Sequence, residues 1–295
     1  MCSRTPAESP VLEAVASAFA ALAALRRDIA ATLPDQVLEL PHDPDAFAAG
    51  EPLLAPLEAA RLAPGFRAAG EAMLPRLTDI FPALGREVTI LGQALAMRPR
   101  LAEPLVSGFV AGRSGDMTAL AAELGLSPQI LTFLTQAMVS AVLQRTAATL
   151  SPLADDSLWQ RAYCPVCGSA PAMGLLKDKP DPSEFLISKA GRLMLSCSLC
   201  GHTWRFPRLK CPSCGELDHN KLDVLTVQGR PRERIHTCAS CQRYLIVVDM
   251  VERDEALDLG AAPAGLAHLD AVAQSRGFAP ICPAPWNRFE DSPSA

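Results

Sequence analysis

The sequence predicts a multidomain α+β protein, with an all-α N-terminal domain followed by two tandem β modules, each stapled by four cysteines. Three observations carry this expectation. Up to about residue 150 the chain is rich in Ala and Leu, and its apolar residues keep helical spacing almost throughout. After Asp155 the composition changes, and short β-type runs with frequent Pro and Gly replace that periodicity. Eight of the ten cysteines then fall into four Cys-x-x-Cys pairs.

The helical half is expected over residues 1–157. Ser9 and Pro10 read as an N-cap and first helical residue, opening a helix whose face is Leu12, Val15, Phe19, Leu22 and Ile29. Leu84, Val88, Leu91 and Leu95 mark a second buried face, stopped before Pro99. Asp116 is placed as the cap of a short helix through Leu124, with Gly125 as its left-handed end. Ser127 and Pro128 open a helix to about Leu150. It is apolar nearly all round (Ile130, Leu131, Phe133, Leu134, Met138, Val142), which makes it the expected centre of a bundle. The Pro-rich breaks Leu40–Pro44 and Pro52–Pro56 read as loops.

Arg192–Leu195, Val224–Val227 and Tyr244–Val248 are the expected strands of the cysteine region, divided into modules at 158–208 and 209–252. Residues 253–295 regain helical spacing at Leu266–Ala273. They end in a Pro-rich tail with Phe278 and Trp286 as docking points.

Charge and hydropathy narrow the classes. The net charge of −5 argues against a protein built mainly to coat nucleic acid. Between Trp204 and Tyr244, however, eight Lys/Arg stand against four Asp/Glu. No run of 18 apolar residues offers a membrane span. Arg4, the apolar run Ala14–Leu25 and the Ala-Ser-Ala at Ala16–Ala18 faintly resemble a secretory signal. Glu8, Glu13 and the terminating Arg26-Arg27 are the wrong flanks for one, so the cytoplasm and reduced thiols are expected.

The pairs are Cys164/Cys167, Cys197/Cys200, Cys211/Cys214 and Cys238/Cys241, separated by 29, 10 and 23 residues. Two residues between thiols let one tight turn aim both sulfurs at a single ion, and a second turn completes a tetrahedron. The four closest thiols, Cys197 to Cys214, raise the question of which pairs join. An internal repeat favours neighbours in order: "CPVCG" at Cys164 recurs as "CPSCG" at Cys211, and "SCSLCGHTW" is answered by "TCASCQRYL". A cross-braced arrangement, first pair with third and second with fourth, is the alternative. Gly168, Gly201 and Gly215 suit the left-handed end of such a turn, whereas Gln242 in the fourth implies a slightly strained or a more open turn. Modules near 45 residues are too small to fold by burial alone, so the metal must supply folding free energy. Four thiolates suit iron and zinc alike. The first module's spacing resembles rubredoxin, so the modules read as rubredoxin-like or zinc-ribbon units. Trp204, Phe206 and Tyr244 stand near enough in sequence to shield the sites.

Three longer stretches carry a family resemblance. "RAYCPVCGSAP", "LMLSCSLCGHTWRFPRLKCPSC" and "HTCASCQRYLIVVD", in that order, resemble the FdhE family of formate dehydrogenase accessory proteins. The resemblance covers Arg161–Asp249 and extends weakly through "LDLGAAPAGLAHLDAVAQSRGF". It implies a cytoplasmic helper with two rubredoxin-type iron sites, not a formate oxidiser. It also implies contact with the catalytic subunit of a respiratory molybdenum or tungsten formate dehydrogenase before export. Gln242 and the unpaired Cys282 depart from the pattern.

Two other classes are weighed. A nucleic-acid-binding zinc ribbon is suggested by Arg205, Arg208, Lys210, Arg230, Arg232 and Arg234, against a plain solvated basic face. An enzyme finds no support: there is no Gly-x-Ser-x-Gly, and "AGRSGDM" lacks the Lys-Ser/Thr of a phosphate loop. His202, His219 and His236 lie near thiol pairs as surface or supporting groups, and Cys2 and Cys282 are expected to be unpaired. The metals read either as staples or as part of a docking surface.

Overall fold

The computed structural model describes residues 10–34, 43–178 and 191–289. The expected cap Ser9, the flanking Arg4 and Glu8, Cys2 and most of the break at 40–44 lie outside the described residues. The helical half comprises α1 (Pro10–Thr32), α2 (Pro44–Ala49), α3 (Ala63–Ile80), α4 (Gly85–Met97), α5 (Ala102–Val110), α6 (Ser114–Leu124) and α7 (Pro128–Leu150). α7 is its axis. Ser127 Oγ accepts from the Ile130 N–H at 3.2 Å and Pro128 occupies the first turn, as the sequence predicts. Leu131, Leu134, Met138 and Val142 line one buried face, and the unbroken buried run from Ala137 to Leu143 covers the other sides, because α1, α3, α5 and α6 all pack on this helix.

α6 departs from expectation at its start. It begins at Ser114 with Arg113 as the flanking residue, and Asp116 sits in the first turn with a 2.7 Å ion pair to Arg113 Nε. The carboxylate therefore favours the helix N-terminus through its charge and not as a cap. Gly125 ends α6 in the left-handed region, as expected. No single described helix is long and apolar enough to cross a membrane.

The cysteine region contributes β1 (Pro171–Lys177), β2 (Arg192–Cys197), β3 (Thr203–Phe206), β4 (Leu222–Val227), β5 (Arg230–Cys238) and β6 (Arg243–Asp249). The tail adds α8 (Ala262–Gly265), α9 (Ala267–Ser275) and a short β7 (Ala279–Pro280) beside β6. The strands form one sheet in the order β3-β2-β1-β6-β5-β4. Each module supplies three antiparallel strands, and the modules meet where β1 runs parallel to β6. The sequence reading placed the junction in the ten residues from Gly201 to Lys210. Instead Trp204 and Phe206 belong to edge strand β3 and are buried in the core shared with the helices.

Period-two alternation decides what each sheet face covers. Leu245 and Val247 of β6, with Leu193 and Leu195 of β2, join the core of the helical half. Tyr244, Ile246 and Val248, with Met173 and Leu175, pack instead on Leu266, Leu269 and Ala273 of the C-terminal helices. The sheet is thus the middle of three layers. Trp286 docks on Phe19 of α1 at a centroid distance of 4.8 Å, and Phe278 packs against the second cluster, as the tail reading expects.

Candidate metal centre

Both thiol clusters have the same construction. An opening turn precedes the module, and a closing turn sits at the tip of a hairpin: β2–β3 in the first, β5–β6 in the second. The structure brings neighbours together in order and excludes the cross-braced arrangement. Cys164, Cys167, Cys197 and Cys200 form one cluster, and Cys211, Cys214, Cys238 and Cys241 the other, with all sulfurs of a cluster within 4.8 Å of one another.

Backbone geometry explains why the turns aim their sulfurs inward. Gly168 N–H donates to Cys164 O, Gly215 N–H to Cys211 O, and Gln242 N–H to Cys238 O, at 2.9–3.0 Å. The residue after each second cysteine takes positive φ: 76° at Gly168, 73° at Gly201, 78° at Gly215 and 54° at Gln242. Of the two expectations for Gln242 the strained turn is the one present, and its Nε2 donates to Ala239 O at 2.8 Å to hold it. Backbone N–H groups of Leu199 and Cys200 point at Cys197 Sγ, both at 3.4 Å, and Ser213 N–H points at Cys211 Sγ at 3.3 Å.

The donor set fits a tetrahedral metal ion. Bonds of about 2.3 Å imply sulfur–sulfur edges of about 3.8 Å. The pairs Cys164–Cys200 and Cys167–Cys197 stand at 3.5 and 3.4 Å, and Cys211–Cys241 and Cys214–Cys238 at 3.7 Å each. Four thiols so close cannot all ionise unaided. Hydrogen bonds, from Cys164 first, hold Cys167 well below the usual thiol range, and the same contacts push Cys197 and Cys200 upward. Burial pushes Cys211 up to about 12. A cation removes this conflict by supplying the counter-charge for every thiolate. The chemistry suits iron or zinc equally.

The clusters differ in setting. In the first, Cys164, Cys197 and Cys200 are buried within the core shared with the helical half. Its opening turn is bonded to the segment after α2, with Leu53 N–H to Pro165 O at 2.8 Å and Leu54 N–H to Val166 O at 2.9 Å. Tyr163 Oη donates to Gly50 O at 2.7 Å, and Trp204 Nε1 donates to Arg161 O at 3.1 Å. Sequence reasoning missed this clamp because backbone acceptors leave no side-chain signature. The second cluster faces outward, with Cys214 exposed. There Glu216 bridges its two turns, accepting from Ser240 Oγ at 2.6 Å, which with the Asp218 and Leu217 N–H groups holds its carboxyl down at about 2.

No histidine joins either cluster among the described residues. His202 Nδ1 bonds Ser151 Oγ at 2.8 Å, His236 is driven down to about 4 by burial, and His219 is exposed. Cys282 makes no disulfide among the described residues. Four of the six basic residues have acceptors within the protein. Arg208 donates to Gly191 O, Arg232 to Asp249 O and Val251 O, Arg230 pairs with Glu233, and Arg234 pairs with Asp249.

No protein-family model matches this chain. Curated proteins do. An FdhE homolog of Aquifex aeolicus is 28% identical over 156 residues, 53% of this chain and 52% of that protein. One of Pseudomonas aeruginosa is 38% identical over 89 residues, 29% of this chain and 26% of its own length. One of Stutzerimonas stutzeri is 28% identical over 244 residues, 77% of this chain and 73% of its length. The matched stretch thus spans about half of the Aquifex protein. The crystal structure of the FdhE protein from Pseudomonas aeruginosa superposes with a TM-score of 0.61 at 23% identity, covering 90% of this chain and 86% of that one.

Proposed function

We propose that this chain is a member of the FdhE family, whose proteins it matches at 28–38% identity over parts of its length, and that it is an accessory protein of a respiratory molybdenum or tungsten formate dehydrogenase. In this reading it binds the catalytic subunit in the cytoplasm and is needed for active enzyme, without catalysing a reaction of its own. Cys164, Cys167, Cys197 and Cys200 ligate one iron, and Cys211, Cys214, Cys238 and Cys241 a second, with zinc as the alternative metal. A four-thiolate iron exchanges one electron without changing its ligands. The observation that carries the reading is the pair of sequentially assembled four-cysteine clusters within a fold shared with an FdhE protein.

The protein's own residues supply the rest. The first cluster fastens the sheet to the helical half, and the second leaves Cys214 at the surface, where a client can reach its metal. The nucleic-acid reading loses ground because four of its six basic residues are committed to internal acceptors.

The test mixes purified full-length chain with a formate dehydrogenase catalytic subunit and follows the mixture by size-exclusion chromatography. Co-elution that resists added salt is expected. No co-elution, together with salt-sensitive retention of nucleic acid, would replace this reading by the alternative.

A further inference from the structure

Arg26 is a half-buried cation that makes no ion pair among the described residues. It stands on α1, with its Nε closed to solvent and without a hydrogen-bond partner. Neighbouring Arg27, by contrast, pairs with Asp258 at 2.7 Å. Burial brings Arg26 down to about 10, with no charged neighbour contributing. Its Nε is enclosed while the rest of the side chain keeps access to the cleft it lines, which leaves the guanidinium able to meet a ligand there. Asp270 lines the same small cavity of about 50 Å³ but makes no direct ion pair with Arg26. Burial pushes its carboxyl up to about 7, and an adjacent guanidinium would pull it the other way.

Arg26 also lines a cleft of about 550 Å³ between α1, α7, the closing turn of the first thiol cluster and the segment before α8. That volume lies within the range of small-ligand pockets. Gln144 and Ser198 offer polar groups, and Leu199, Leu257, Leu259 and Trp286 offer apolar surface. One unpaired guanidinium matches one negative charge, and its planar fork matches a carboxylate. A doubly charged phosphate would leave surplus negative charge beside Cys197 and Cys200, which border the cleft.

We propose that this cleft binds a carboxylate carried on an apolar body, with the Arg26 guanidinium as its counter-ion. The acid is either a free small molecule or the terminus of an apolar protein segment. The inference stands whether or not the accessory reading holds, since it concerns the isolated chain.

The test uses purified metal-loaded protein in sodium hexanoate, sodium phosphate or sodium chloride at matched ionic strength. It records the melting temperature and tryptophan fluorescence. Hexanoate is expected to raise the melting temperature saturably, beyond either inorganic salt. Arg26→Gln is expected to weaken hexanoate about tenfold or more while melting no lower than the parent in chloride, because no ion pair within the described residues is lost. A hexanoate response no larger than that of chloride, or one retained in full by Arg26→Gln, overturns the proposal. If Arg26→Gln does not fold, Arg26→Lys keeps the charge without the fork; unchanged hexanoate affinity there is equally adverse. A short apolar peptide with a free C-terminus, compared with its amide, separates the sources. Tighter binding of the free-acid peptide than of hexanoate supports a protein terminus, and the reverse supports a small acid.

Discussion

Gly174 of β1 lies directly beside Val247 of β6 in parallel register, and this pairing welds two four-cysteine modules into one sheet. A Cβ added at Gly174 would stand 3.1 Å from Val247 Cγ2 and 3.0 Å from Leu193 Cδ1, both in the packed core. Gly174→Ala is therefore expected to cost about 1–3 kcal/mol by overpacking. Urea denaturation of the metal-loaded protein measures it. Unchanged stability would mean that the weld tolerates the side chain.

Cys164→Ser combined with Cys197→Ser is expected to lower metal content from two ions to one, because the two clusters share no sulfur. Loss of both metals in equal measure from a folded protein would refute the sequential ligation. The matching change, Cys211→Ser with Cys238→Ser, empties the outward-facing cluster. Its effect on the helical melt should be smaller, since Cys164, Cys197 and Cys200 are core residues of the helical half. Elemental analysis and circular dichroism read the two effects.

Gln242 holds φ at 54° where the other three turns have glycine. Gln242→Gly relieves a left-handed non-glycine residue, worth about 1 kcal/mol, against loss of one side-chain bond to Ala239 O. Slower release of the second metal to a chelator is the expected outcome. Faster release would show that the amide bond outweighs the strain.

Asp270 carries a pH dependence of definite sign. Burial raises its folded carboxyl from 3.8 to about 7, so the native state holds a proton that the unfolded chain has lost between those values. This contribution is full below about pH 4 and disappears as pH rises through about 7, a swing of the order of 2–4 kcal/mol. His236, driven down to about 4, acts oppositely between about pH 4 and 6.5. Asp270→Asn, which keeps an acceptor for Tyr244 Oη, isolates the first effect. Its stability relative to the parent should increase steadily from pH 4 to pH 7; a constant difference would count against the buried acid.

Local chemistry was legible in the chain. The Ser127-Pro128 start and Gly125 stop of helices depend on neighbours a few residues away, and both stand where expected. The thiol partnership was legible for another reason: a repeated opener and closer reveal two copies of one module, and each copy closes its own site. Asp116 shows the limit even at short range. A carboxylate can serve a helix N-terminus as a cap or as a first-turn charge, and the position of Arg113 decided between them.

The sequence by itself determined the helical half, the cysteine modules and which sulfurs belong together, because those features arise from contacts within a segment or from a repeat of it. Only the tertiary structure decided how the modules join, what clamps the first cluster and which charge is left unpaired. The β1–β6 pairing spans more than seventy residues, the Leu53 and Leu54 bonds use backbone atoms alone, and the isolation of Arg26 depends on what does not approach it. None of these leaves a pattern of residue types for a reader of the chain to find.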